Sequence, residues 1–149
     1  MIEEIIVSLG ALFGLIWSIR NKDTFPIVIS SGLFLGVLIA VWLSSIYRPI
    51  GFYIYMLFVL LAAIYALIKD GLVLRQRIFL LLISASVFTY WLFAINHWHG
   101  NLWLFMIIPV LAFIGWLVCK VKIRNELGFV IIMVVDAIAV IFEFWVKRM

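Results

Sequence analysis

The stretch Pro26–Ile46, PIVISSGLFLGVLIAVWLSSI, decides the fold: twenty-one residues pass without a charged side chain. A helix rising about 1.5 Å per residue needs about 20 residues to cross about 30 Å of hydrocarbon. In lipid only helices and closed barrels satisfy their own backbone. A barrel strand would alternate in polarity over about 10 residues, and this run does not alternate. It reads as a transmembrane helix.

Working outward, five more apolar runs flank it, at about residues 5–19, 50–68, 77–95, 102–119 and 127–146. The sequence therefore predicts an all-α, polytopic integral membrane protein with six transmembrane helices, a single helical domain over 1–149. The later five runs meet the length requirement; the first is short unless residues 1–4 join it. Of the 149 residues, 68% are apolar and 12% charged, against about 45–50% and about 25% in an ordinary soluble domain. No stretch remains for a second folded module.

The net charge is +4, but the basic residues sit in short clusters between apolar runs and form no continuous stripe, which argues against nucleic acid. Cys119 is the single cysteine, so no intrachain disulfide is possible. Met1–Glu4 lacks the positive region of a cleavable signal, and the first helix is expected to stay.

The boundaries carry matching chemistry. Thr24 and Pro26 suit a helix start, as do Arg48 and Pro49 for the third helix. Asp70–Gly71 reads as an exit and turn. Asn125 is the expected cap of the last helix, with Glu126 in its first turn. Short loops imply antiparallel neighbours.

Orientation follows from Lys and Arg. The loops after helices one, three and five hold Arg20, Lys22, Lys69, Arg75, Arg77, Lys120, Lys122 and Arg124, eight in all; the opposite side holds Arg48, Lys147 and Arg148. The eight belong in the cytoplasm. In a cell (inner) membrane both termini then lie outside. Trp17 and Trp116 fall near one interface and Trp42, Trp98, Trp103 and Trp145 near the other, as in an aromatic belt; Trp91 is deeper and reads as packing.

Small residues recur every fourth position, as Gly10, Gly14 and Ser18, and as Gly32, Gly36, Ala40 and Ser44. Such ridges let backbones approach closely, and helices one and two are expected to pack through them, or to use one as an oligomer seam. Two three-helix units, about 1–70 and 75–149, would have opposite orientations, the geometry of inverted-repeat transporters, although the halves show no residue-by-residue match.

Asp136, inside IIMVVDAIAV, is the main candidate for chemistry. A carboxylate in a span is costly and should face a protein interior or a watery cavity. It is either neutral or meets hydroxyls or a cation; a proton or cation relay and a helix–helix hydrogen bond are both open. Glu143 returns to nearly the same face two turns on, making a ladder from mouth to mid-membrane, or else pairs with Lys147 or Arg148. On helix four, Ser86, Thr89 and Asn96 share one side; Ser86 and Thr89 could donate to Asp136 in a ligand site or serve as plain helix–helix hydrogen bonds, and both readings predict that helices four and six touch. Pro109 interrupts helix five, as a kink or as part of a site. His97 and His99 are weak metal candidates; the remaining ligands would have to come from Glu3, Glu4 or Glu143. No HExxH, GxSxG or Walker motif is present, so neither an enzyme nor a cofactor is expected.

Residues 17–34, WSIRNKDTFPIVISSGLF, and 116–138, WLVCKVKIRNELGFVIIMVVDAI, resemble vitamin-precursor transporters of the PnuC type, which are related to three-helix SWEET bundles. The resemblance covers about a quarter of the chain; the Trp and amide residues of a nucleoside site are missing, and the chain is a helix short. The turn HWHGN at 97–101 resembles the His-Trp-Pro-Gly turn of small membrane proteins around the GldL gliding component, without the Pro.

Two function classes follow. One is small-solute or proton/cation transport around the buried carboxylate. The alternative is a non-catalytic subunit or scaffold of a larger membrane complex. The expected partners are the lipid bilayer and either further copies of the chain or other membrane proteins.

Overall fold

A computed structural model describes residues 2–97 and 100–148. The chain is all-helical: α1 Ile2–Asn21, α2 Thr24–Trp42, α3 Arg48–Ile68, α4 Leu74–Ile95, α5 Leu104–Cys119 and α6 Leu127–Arg148. Five of these are long and apolar enough to cross a membrane; α5, at 16 residues, is shorter. This inverts the expectation from run lengths. α1 gains its length because Ile2–Glu4 join it, whereas α5 begins only at Leu104, after i→i−3 bonds from Leu104, Phe105 and Met106 to Asn101, Leu102 and Trp103. Those are 3₁₀-type turns, which tighten helix ends.

The breaks follow local chemistry. α2 stops at Trp42, four residues before its apolar run ends, because Leu43 turns to extended backbone at φ −84° and ψ 166°. Pro49 occupies the first turn of α3, where its missing N–H costs nothing. Gly71 takes φ +86° between α3 and α4, a left-handed conformation that glycine adopts freely. At α6 the expected cap is displaced by one residue: the Glu126 carbonyl, not that of Asn125, accepts the first bond, from Val130 N–H at 3.2 Å.

Helices adjacent in the chain pack side by side, and α1 closes on α6, so the six form a ring. α6 also reaches inward against α2 and α4, which makes it the most enclosed helix. Its Phe129, Val130, Met133 and Ala137 are fully buried, with Leu33 of α2 and Leu80, Ile83 and Val87 of α4. The two three-helix halves thus share one core, with α6 seated against α1 and α2 of the first half.

The small-residue ridges find different partners from those expected. α1 and α2 do touch, and Ser18 and Ser30 share a 2.6 Å hydrogen bond. Yet Gly10 faces Val135, and Gly14 faces the Gly128 carbonyl and Ile132, all on α6. Gly32 faces Phe58, and Gly36 faces Tyr55 and Gly51, all on α3. The ridge glycines thus meet α6 and α3, while Ser18 of the first ridge joins α1 to α2.

A Cβ at Gly36 would lie 2.8 Å from the Tyr55 backbone nitrogen and 2.9 Å from its Cβ. Backbone cannot swing aside as a flexible side chain does. Gly36→Ala is therefore expected to cost about 1–3 kcal/mol, seen as a lowered melting temperature of the detergent-purified protein. An unchanged melting temperature would refute the close α2–α3 approach.

Candidate functional site

Five helices converge at the end of the bundle marked by Glu3 to enclose a cavity of about 370 Å³. α1 contributes Glu3, Glu4 and Val7; α2 contributes Gly36, Val37, Ala40 and Val41; α3 contributes Arg48, Phe52 and Tyr55. Tyr90 and Trp91 come from α4, and Asp136, Ala139, Val140 and Glu143 from α6. The small residues Gly36, Ala40 and Ala139 are part of this lining.

Asp136 lies in the wall of this cavity and is only 5% exposed. Two donors converge on its Oδ2: the Trp91 indole N–H at 2.8 Å and the Tyr55 hydroxyl at 3.1 Å. A carboxylate removed from water needs such partners, and both are outside its own helix. The expected donors are engaged elsewhere. Ser86 Oγ donates to the Leu82 carbonyl and Thr89 Oγ1 to the Ala85 carbonyl, each at 2.7 Å. Hydroxyls in a helix find the carbonyl four residues back without leaving their own turn. The predicted α4–α6 contact is present, with Trp91 as its polar link in place of those hydroxyls.

Glu143 lies about 10 Å further along α6 by helical rise and lines the same cavity, so the two acids predicted on one face do meet one space. Glu143 also pairs with Lys147, one turn on. Arg48 approaches Glu4 at 3.8 Å and donates to the Ala40 carbonyl at 3.1 Å. Among the described residues the lining holds Glu3, Glu4, Glu143, Asp136 and Arg48. A smaller neighbouring cavity of about 210 Å³ shares Tyr90, Val140 and Glu143 and adds Trp103 and Lys147.

Other candidates lie apart. Asn96 caps α4, exposed, with its amide donating to the Leu92 carbonyl at 2.7 Å. Pro109 is buried within α5 and lines neither cavity. His97 is exposed in the turn after α4. His99 and Trp98 fall outside the described residues. Among the described residues no group of three or more His, Cys, Asp or Glu side chains is placed to hold a metal ion.

A second polar centre, not anticipated as a site, occupies the opposite end. Lys69 Nζ donates to Asp23 at 2.9 Å, to Glu126 at 3.3 Å and to the Tyr65 hydroxyl. The Tyr65 hydroxyl in turn donates to Glu126 at 3.1 Å. Glu126 is 4% exposed. Burial alone would push the Lys69 ammonium down, but the hydrogen bonds with Tyr65 and Asp23 and the charge of Glu126 outweigh it and hold the group above its ordinary value. Stability from a group raised in this way is fully present below the unfolded value, about 10.4 for Lys, and is lost only as pH rises through the folded value. The centre keeps its cation throughout the neutral range.

The two centres share one register. Tyr55 and Tyr65 are ten residues apart on α3, and Glu126, which caps the antiparallel α6, is ten residues from Asp136 within it, so each tyrosine meets one acid. By helical rise the centres stand about 15 Å apart. Val59 and Ala62 of α3 and Phe129, Val130 and Met133 of α6, all buried, fill the interval.

Comparison with protein-family models, with curated proteins and with solved structures finds no match for the chain.

Proposed function

We propose that this chain is a six-span membrane protein that carries a small cationic solute or protons, with Asp136 as the group that meets the cargo. The observation that carries the reading is the placement of a buried carboxylate, Asp136, in the wall of a cavity that Glu143 also lines. An intramembrane carboxylate facing a cavity is the usual mark of an ion or proton pathway, and an acidic entrance raises the local concentration of cations.

The polar Lys69 centre supports a gated pathway. Entry is from the Glu3 end, while the other end is tied by Lys69, Asp23 and Glu126 with apolar side chains between. That is the arrangement expected of one state of an alternating-access carrier. The lysine and arginine balance supports a reading in which the Glu3 end lies outside the cytoplasm. α5 joins the spans in this reading with help from the turn at Asn101–Trp103 and from modest thinning of the bilayer. The proposed role is non-enzymatic.

A second reading, a non-catalytic subunit of a larger membrane complex, is favoured by one observation: the interval between the two centres is filled mainly by apolar side chains, among them Val59, Ala62, Phe129, Val130 and Met133. The same experiment separates the two. Purified chain, sized by intact mass in nanodiscs and then reconstituted in liposomes, is expected to dissipate an imposed cation or proton gradient faster than empty vesicles. Flux equal to that of empty vesicles, together with a stoichiometric partner in the native particle, would replace transport with the subunit reading.

A further inference from the structure

The chemistry around Asp136 narrows the cargo. Trp91 stacks on Phe52 with ring centroids 4.6 Å apart, while Tyr55 and Tyr90 stand at 72° and 81° to the Trp91 plane, 6.4 and 5.2 Å away. The four rings form one aromatic cluster around Trp91. All four rings line the cavity with Asp136. Both hydrogen bonds to the carboxylate arrive on Oδ2, and Oδ1 accepts neither of them.

Resting on the cavity as the site of the proposed function, we infer that it binds an organic ammonium ion, with its methyl or methylene groups against Tyr55, Tyr90, Trp91 and Phe52 and its charge beside Asp136. Aromatic faces attract cations through the ring quadrupole, most of all where water is excluded and the cation is weakly hydrated. Sodium, magnesium and calcium instead demand a shell of oxygen ligands. Beside Asp136 the cavity offers two tyrosine hydroxyls, one of which already donates to that carboxylate, and the next carboxylate on α6, Glu143, stands about 10 Å away by helical rise. A cavity of about 370 Å³ is at the small end of the range for small-molecule sites, large enough for a tetraalkylammonium and wasteful for a bare metal ion.

The probe is tetramethylammonium chloride, titrated calorimetrically into the full chain in nanodiscs, with potassium chloride at equal ionic strength as reference. The expected result is saturable binding with a Kd below about 1 mM, unaffected by potassium. Phe52→Leu keeps apolar bulk and does not touch the carboxylate; it is expected to weaken binding on the order of 10-fold without shifting the melting temperature. Val41→Trp fills the cavity from α2 and is expected to abolish binding, which locates the site even if Phe52→Leu proves unstable. Absence of saturable binding to the wild-type chain, or binding undiminished by Val41→Trp, overturns the inference. If flux of protons or inorganic cations persists in that event, transport stands and only the substrate class falls. If flux is absent as well, both fall.

Discussion

Asp136→Asn reduces flux through reconstituted vesicles to the level of empty liposomes while leaving the melting temperature within about 3 °C of wild type. The substitution keeps the shape of the side chain. The Asn carbonyl oxygen can still accept from the Tyr55 hydroxyl and the Trp91 indole, which now reach Oδ2 at 3.1 and 2.8 Å. Packing against α3 and α4 is therefore preserved. Lost is the negative charge, and with it the ability either to take up a proton or to neutralise a cation in a site largely removed from water. Because the group is 5% exposed, bulk counterions cannot substitute for it. Asp136→Glu restores the charge on a longer stem and should retain part of the flux. Full flux through the Asn variant would remove Asp136 from the pathway and leave it a structural link between α3, α4 and α6. A large fall in melting temperature would instead show that the charge itself holds the helices together.

The helices were legible because lipid imposes a length and an apolar content that few other constraints can imitate. Where the boundaries moved, backbone chemistry moved them: the extended Leu43 ended α2 early, and the Asn101–Trp103 turns shortened α5. The shared face of Asp136 and Glu143 was legible too, since it follows from helical periodicity within one segment. Which helix each small ridge would meet was not, because Gly10 and Gly36 carry no mark of their partner. Nor did a hydroxyl near the right depth identify a donor: Ser86 and Thr89 are satisfied inside α4, whereas Trp91, read as packing, and Tyr55, not singled out, hold the carboxylate. One signal was present and unused. Tyr55 and Tyr65 have the same ten-residue spacing as Glu126 and Asp136, and on antiparallel helices equal spacings can align pairwise. Lys69 was counted only as a topological charge, although it stands one turn beyond Tyr65.

Lys69→Met is the substitution expected to cost most in stability. Lys69 is the hub of the second centre, joining Asp23 in the α1–α2 connection, the end of α3, and Glu126 at the start of α6. Its side chain is 27% exposed, whereas that of Glu126 is 6% exposed. Removing the cation leaves a buried carboxylate facing Asp23 with only the Tyr65 hydroxyl to support it. Breaking a buried pair from one side typically costs 3–5 kcal/mol, and partial exposure of Lys69 places this case near about 3 kcal/mol. For a chain of this size that lowers the melting temperature by roughly 6–12 °C. The companion Lys69→Met/Glu126→Gln variant removes the stranded charge as well and should recover more than half of the loss, because an amide without a partner is far cheaper to bury than a carboxylate. In vesicles the single variant should also leak, since the tie that closes this end is gone while the cavity beside Asp136 is intact. A melting temperature within about 1 °C of wild type would mean that the ion pairs contribute no more than exposed surface pairs do, and the apolar side chains between the two centres would then be the closure.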